Sequence, residues 1–152
     1  MNRARFTIHC DEQILELGER SLLMGTINVT PDSFSDGDHF FETEKAIKQG
    51  ERLASEGADL LDVGGESTRP FSDPVPLEEE LRRVIPVVSE LAKCTSVPIS
   101  IDTCKAEVAR AALDAGATII NDISGLRFDP KMVELAAAAK VALVLMHMQG
   151  TP

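Results

Sequence analysis

Short apolar runs alternate with segments of helical periodicity along most of this 152-residue chain, and no other feature constrains its fold as strongly. The apolar runs are Leu22 to Asn28, Leu60 to Gly65, Pro98 to Asp102, Ile119 to Ser124 and Val141 to Met148. The segments with helical spacing are Glu42 to Glu56, Leu77 to Lys93, Lys105 to Ala115 and Pro130 to Lys140. Such alternation predicts a parallel sheet, either a barrel or a doubly wound sheet.

Composition narrows the classes of protein that this chain can be. Its 43% of hydrophobic and 26% of charged residues are typical of a globular domain. The formal net charge of -10 argues against a nucleic-acid partner, because binding a phosphate backbone requires a basic surface. No apolar run is long enough to span a membrane. The first residues lack the apolar core of a secretory signal, so we expect a cytoplasmic location.

The N-terminal stretch and the cysteines add two further expectations. The segments Phe6 to His9 and Gln13 to Leu17 are separated by a short turn, which predicts a β-hairpin that closes the bottom of a barrel. The three cysteines form no CxxC pair, so we expect reduced packing thiols rather than a disulfide framework or a zinc site. Since no linker interrupts the pattern, residues 1–152 are predicted to form a single domain.

Polar residues stand at or near the C-terminal end of every predicted strand after the hairpin. They are Asn28, Asp62, Asp102, Asn121 with Asp122, and His147. Ligand sites of parallel βα folds lie at these strand ends, so we expect the polar side chains to converge. Acceptors and amides together suit an uncharged heterocycle with several N–H donors, with a divalent cation on an exposed oxygen. For Asp102 the alternative is a cap on the helix that follows.

Two long loops follow the first and second of these strands, over residues 28–40 and 64–76. The first loop carries the aromatic Phe34, and the second carries Arg69, which the following Pro70 keeps in an extended conformation. Loops of this length are often functional. The alternative interpretation is that both are ordinary surface loops, with a solvated arginine in the second.

Five separated motifs of this chain resemble the signatures of the dihydropteroate synthase family. They are INVTPDSFSDG, GADLLDVGGESTRP, PISIDTCK, GATIINDISG and LMHMQGTP. The resemblance covers nearly the whole chain from Leu22 onward, and it implies an α/β fold of the (β/α)8 TIM-barrel type. A complete barrel of this kind needs about 250 residues. We therefore expect the chain to hold the N-terminal hairpin and about the first five βα units of a pterin-binding domain that is incomplete at its C-terminus.

The resemblance also implies a reaction. The family condenses p-aminobenzoate with 6-hydroxymethyl-7,8-dihydropterin pyrophosphate, giving 7,8-dihydropteroate and pyrophosphate in folate biosynthesis. By resemblance, Asp102 and Asn121 would bind the pterin ring with Asp62 nearby, and Met146 would be a further substrate-binding residue. Asn28 would bind Mg²⁺ against the pyrophosphate, in some arrangements together with Asp102.

The same resemblance assigns roles within the two loops. Thr68 and Arg69 would contact the leaving group, with Arg69 counted among the catalytic residues beside Asp102 and Asn28. Phe34 and Pro70 would line the p-aminobenzoate pocket, where sulfonamides compete. Asp36 would pair with Arg69 or with the metal shell when both loops close. Two positions depart from the family pattern, because Asp38 and Phe71 stand where glycine is usual.

Several alternatives stay open from the residues alone. A pterin-dependent methyltransferase shares the barrel and the polar strand ends but lacks the TPDSFSDG loop. A non-catalytic pterin-binding half-barrel is the other candidate. An incomplete barrel would leave open strand edges and an uncovered apolar interior. We therefore expect either a fragment of a longer enzyme or an associating chain, with a homodimer predicted, and we expect the chain alone to lack synthase activity.

Overall fold

The chain folds as a β-hairpin followed by alternating strands and helices. The computed structural model describes residues 4–30, 39–67 and 74–147, and within this part it leaves out the side chains of residues 39–41. The strands are β1 (Phe6–Cys10), β2 (Gln13–Leu17), β3 (Met24–Asn28), β4 (Leu60–Gly64), β5 (Ile99–Asp102), β6 (Ile119–Asp122) and β7 (Ala142–Leu145). The helices are α1 (His39–Ser55), α2 (Leu77–Cys94), α3 (Ala106–Asp114) and α4 (Lys131–Ala139). Every predicted element is therefore present, with shifted ends.

The main sheet is parallel, and its strands follow chain order from β3 to β7. A doubly wound sheet reverses its strand order and carries helices on both faces. Here the paired residues Ile27, Val63, Ile101 and Ile120 are fully buried in the same core as the helix residues Val84, Val88, Ala109 and Met132. The four helices thus cover one face, as they do in a singly wound barrel. The prediction of a (β/α)8-type arrangement with about five βα units is confirmed.

Local sequence explains where the helices lie. Along α2, Val84, Val88 and Leu91 recur at helical spacing, and all are fully buried against the sheet. Helix α3 ends at the predicted cap, because Gly116 adopts a φ of 113° that residues with a side chain rarely reach. The Gly116 N–H donates to the Leu113 carbonyl over 3.1 Å, which satisfies one of the last carbonyls of the helix.

The hairpin of β1 and β2 closes the lower end of the sheet. Cys10 and Leu15 form a small apolar cluster with Leu60 and Ile119, the first residues of β4 and β6. Because strands in a parallel sheet begin at one edge, this cluster marks the N-terminal end of the barrel interior. The predicted position of the hairpin is confirmed.

The two outer strands, β3 and β7, leave apolar side chains exposed at the sheet edges. Met24 on β3 and the three consecutive residues Leu143, Val144 and Leu145 on β7 are each at least 39% exposed. The expected open edges are thus present within the described part of the chain. Among the described helices, no segment is both long and apolar enough to cross a membrane.

Candidate active site at the C-terminal edge of the sheet

The polar strand ends of the sheet share one face. Asn28, Gly64, Asp102 and Asn121 are paired across β3 to β6, and Asp62 pairs with Ser100 two residues earlier. Paired residues, and residues two apart along a strand, project to the same side of a sheet. That side is opposite the helices and corresponds to the barrel interior. The predicted convergence on one face is therefore present for Asn28, Asp62, Asp102 and Asn121.

Asp62 lies deepest in this cluster, with 6% of its surface exposed. The Asn121 carboxamide donates a 3.1 Å hydrogen bond to Asp62 Oδ2. Asp62 Oδ1 and the Ser100 hydroxyl are both buried without a hydrogen-bond partner among the residues that the structure describes. Burial raises the pKa of Asp62, while the nearby Ser100 and the Asn121 hydrogen bond act in the opposite direction. Asp62 and Ser100 thus form a buried polar layer beneath the strand ends, on the interior face of the sheet.

Asp102 lies one strand away, at the end of β5. A Cβ on Gly64 would come 3.4 Å from Asp102 Oδ2, an ordinary van der Waals distance, so the carboxyl lies directly beside the end of β4. Burial, together with the negative charges of Asp62, Glu80, Asp122 and Glu66, raises the pKa of Asp102 to about 7. This carboxyl can therefore exchange a proton near neutral pH, a property typical of functional sites.

Asp102 does not cap helix α3. Lys105 occupies the N-cap position of α3, and its side chain makes no capping hydrogen bond. The carboxylate of Asp129, from the loop before α4, instead accepts a 2.8 Å hydrogen bond from the Ala106 N–H. The capping alternative for Asp102 is thus wrong, and its carboxyl faces the interior cluster.

Asp122, the neighbour of Asn121, has a structural role. Asp122 is fully buried, and its carboxylate accepts hydrogen bonds from the N–H groups of Ser124 at 2.7 Å and Leu126 at 3.0 Å. It therefore shapes the loop that follows β6. Because adjacent strand residues point to opposite faces, Asn121 faces the interior while Asp122 faces the helices.

The remaining predicted residues in the described part lie at the same edge but are exposed. Asn28 is the last residue of β3. Met146 follows β7 and is 43% exposed, and its N–H donates to the Asp122 carbonyl over 3.3 Å. His147 is also exposed. The loop residues for which roles were predicted lie outside the described residues: Phe34, Asp36, Thr68, Arg69 and Pro70.

A charged network beside the cluster was missed by the sequence interpretation. Glu80 on α2 is fully buried, and it accepts hydrogen bonds from the Thr103 hydroxyl at 2.6 Å and from Lys105 Nζ at 2.5 Å. Lys105 also forms an ion pair with Glu66. A signal was available, because Glu80 interrupts the apolar stripe that Val84 and Leu91 continue. A charged residue on a buried helix face requires a partner.

Comparison with known proteins defines the class. Residues 24–152 match the pterin binding enzyme family, and the chain belongs to that family. It is 47% identical over 141 residues to the dihydropteroate synthase of Synechocystis, covering 93% of this chain and 49% of that protein. It is 49% identical over 140 residues to the dihydropteroate synthase of Bacillus subtilis, covering 92% and 49%. The chain thus spans about half the length of these curated relatives.

Solved structures of dihydropteroate synthases share the fold. The Xanthomonas albilineans enzyme with 4-aminobenzoic acid is 53% identical with a TM-score of 0.89, over 97% of this chain and 53% of that chain. The same enzyme in complex with 7,8-dihydropteroate is 51% identical with a TM-score of 0.82, over 94% and 51%. The Yersinia pestis enzyme in a sulfonamide drug complex is 45% identical with a TM-score of 0.86, over 97% and 53%.

Proposed function

We propose that this chain binds the pterin substrate in dihydropteroate synthesis, the condensation of p-aminobenzoate with 6-hydroxymethyl-7,8-dihydropterin pyrophosphate. The single observation that carries the proposal is the interior cluster, where the carboxyls of Asp62 and Asp102 and the carboxamide of Asn121 share one face of the sheet and Asn121 donates to Asp62. A pterin ring offers several N–H donors in one plane, so it complements the converging carboxyls of Asp62 and Asp102. The dihydropteroate synthases to which the chain is similar support the same assignment.

The cluster also suits the chemistry of the reaction. Departure of pyrophosphate leaves positive charge on the pterin methylene, which a carboxylate in a partly buried site stabilises. Asp102 is proposed for this role, because it stands at the strand end, where a ligand enters, while Asp62 lies deeper. An aromatic amine is already a competent nucleophile, so the amine needs no general base.

The loop residues complete the proposal. Thr68 and Arg69 are proposed to contact the leaving pyrophosphate, and Phe34, Asp36 and Pro70 to form the p-aminobenzoate side of the site. Closure of the two loops over the substrates would exclude water, which competes with the amine of p-aminobenzoate for the cationic pterin methylene. The relatives solved with 4-aminobenzoic acid and with a sulfonamide drug support a second substrate of this chemistry.

Mg²⁺ is proposed as the cofactor, held by Asn28. The carboxamide oxygen of Asn28 is a hard donor at an exposed strand end, as Mg²⁺ requires. No group of three His, Cys, Asp or Glu side chains that could hold a metal occurs among the described residues. One protein ligand fits an ion that is held mainly by substrate phosphates and water. When bound there, Mg²⁺ would offset the negative charge that develops on the leaving group.

The oligomeric state, the location and one further residue belong to the same proposal. A homodimer is proposed as the oligomeric state. A cytoplasmic site of action is also proposed. Met146 is proposed as a substrate-binding residue because it lies exposed at the C-terminal edge of the sheet.

The proposal is tested by titrating the purified chain with 6-hydroxymethylpterin in a calorimeter. We expect saturable binding that Asp102→Asn and Asn121→Ala each weaken about tenfold or more, because each removes a charged or directional hydrogen-bonding group. Asp114→Asn is the matched control, since Asp114 is exposed at the end of α3, and it should bind like the unmodified chain. Binding that is absent, or that all variants share, would contradict the proposal.

A further inference from the structure

Helix α2 reaches the C-terminal ends of β4 and β5 through two of its charged residues. Glu80 binds Thr103 and Lys105, which follow Asp102 at the end of β5. Arg83 Nη1 donates a 2.9 Å hydrogen bond to the carbonyl of Gly65, the residue that follows β4. The first turns of α2 therefore bind side chains of the segment directly beyond Asp102 and the backbone directly beyond Gly64.

Glu80 is closely packed between α2 and the backbone that follows β4. A Cβ on Gly65 would lie 3.1 Å from Glu80 Cγ and 2.7 Å from Val84 Cγ1, so α2 packs directly on the backbone after β4. Glu80 is fully buried, and each of its two oxygens accepts one hydrogen bond. A buried carboxylate is costly when it is unpaired, so its partners are held strongly in place.

Lys105 connects this arrangement to a third segment. Its ammonium binds both Glu80 and Glu66, and its side chain is 29% exposed. Glu66 stands two residues after the end of β4. A single cation thus joins α2, the segment after β4 and the segment after β5, which surround the position of Asp102.

We propose that Glu80 and Lys105 are positioning residues that fix the ends of β4 and β5 and so hold Asp102 opposite Asp62 and Asn121. Neither residue needs to touch the substrate. The link acts through the backbone, because the Thr103 N–H donates a 3.1 Å hydrogen bond to the Asn121 carbonyl. This inference rests on the proposed function for its meaning, but its geometry can be tested in the chain without ligand.

The test measures amide hydrogen exchange by NMR in Glu80→Gln, Lys105→Met and the double variant. The reporter is the Thr103 amide, which joins β5 to β6 at the site. The reference is the Leu61 amide, which bonds to the Pro98 carbonyl over 2.9 Å near the lower end of the sheet. Glu90→Gln and Lys93→Met are matched controls, because these residues form an exposed ion pair on α2 with side chains 50% and 67% exposed.

We expect each single variant to speed exchange at Thr103 about tenfold or more, the loss that coupling within one hydrogen-bonded network produces. Exchange at Leu61 should match the controls, and Lys105→Arg should restore slow exchange at Thr103. The double variant removes both charges together with the Glu80–Lys105 ion pair. Exchange at Thr103 should therefore stay fast if that ion pair fixes the strand ends. Equal effects at Thr103 and Leu61, no effect at either, or recovery in the double variant would overturn the proposal.

Binding of 6-hydroxymethylpterin supplies the second measurement. Lys105→Met should raise the Kd about tenfold at a temperature where the chain stays folded, and Lys105→Arg should return most of the affinity. An unchanged Kd beside fast exchange at Thr103 would overturn the positioning role. An unmodified chain that binds no pterin would contradict the proposed function instead, and the exchange at Thr103 would then decide the positioning role alone.

Discussion

Asn121 on β6 donates its 3.1 Å hydrogen bond to Asp62 on β4, although strand β5 lies between them. Neighbouring strands are about 4.8 Å apart, so these two strands are separated by roughly 10 Å. Side chains of Asn and Asp meet across that distance most readily on the concave face of a curved sheet. The contact is therefore a sign of the barrel curvature, and it makes the interior face the place where a ligand is enclosed.

Replacing Asn121 should destabilise the chain. In Asn121→Ala the buried Asp62 carboxylate loses its donor, so we expect the free energy of unfolding at pH 8 to fall by about 1.5–3 kcal/mol. The loss should be smaller at a lower pH, because burial raises the pKa of Asp62 and its protonation relieves the unpaired charge. Urea denaturation of Asn121→Ala and of the exposed control Asn28→Ala measures both values. A loss as large in the control would contradict this explanation.

Asp102 should make stability depend on pH. Its pKa is about 7 in the folded chain against an ordinary value of 3.8, so the folded state binds the proton more tightly than the unfolded state does. The stabilisation that the protonated Asp102 carboxyl gives the folded state is therefore fully present below about pH 4, and it is lost as the pH rises through 7. Asp102→Asn should equal the unmodified chain near pH 4 and exceed its unfolding free energy by roughly 2–4 kcal/mol at pH 8.

Urea denaturation at pH 4 and pH 8 measures the difference, with Asp114→Asn as the control for a generic loss of negative charge. The control should show no such gain at pH 8. If Asp102→Asn is less stable than the unmodified chain at pH 8, the cause assigned to the raised pKa is wrong.

Much of the fold was predictable because its signals are local. Apolar runs such as that of β4 and the spacing along α2 report burial directly, and Gly116 marks a helix end by its conformational freedom. The strand-end positions of Asp62 and Asn121 were predictable too, since parallel strands end at one edge. Their hydrogen bond was not, because it depends on the curvature of the sheet.

The network around Glu80 shows where local signals end. Glu80 and Lys105 are 25 residues apart, and their contact exists only after α2 has packed on the sheet. The capping of α3 shows the same limit. Asp102 had the right position in the sequence for a cap, but Asp129 takes that role from 23 residues away in the chain.

The apolar cluster between the hairpin and the sheet should contribute to stability but not to pterin binding. Leu15 is 8% exposed in the cluster that joins the hairpin to β4 and β6. Leu15→Ala should lower the free energy of unfolding by about 2–4 kcal/mol and leave the Kd for pterin unchanged. Ile14→Ala is the matched control, because Ile14 is 55% exposed on the same strand and should change stability little. A pterin Kd that changes with Leu15→Ala would contradict this separation, because it would show that the apolar cluster and the pterin site are coupled.

Asp129 should stabilise two helices together. One carboxylate oxygen accepts from the Ala106 N–H of α3 at 2.8 Å, and the other accepts from the Lys131 N–H of α4 at 3.0 Å. Asp129→Ala should therefore lower the free energy of unfolding by about 1–2 kcal/mol, as the loss of a helix cap does. Thermal unfolding beside the exposed control Asp114→Ala checks the value. Equal melting temperatures for the two variants would contradict the double cap.

The most direct test of the central claim is a ¹⁵N NMR titration of the unmodified chain with 6-hydroxymethylpterin, because it shows where the ligand binds. We predict that the Asn121 carboxamide and the backbone amides of Asp62, Gly64, Asp102 and Thr103 shift with one common Kd, while those of Leu15 and Arg20 at the lower end stay in place. Shifts confined to the lower end, or no shifts at saturating pterin, would contradict a pterin site at the C-terminal edge of the sheet.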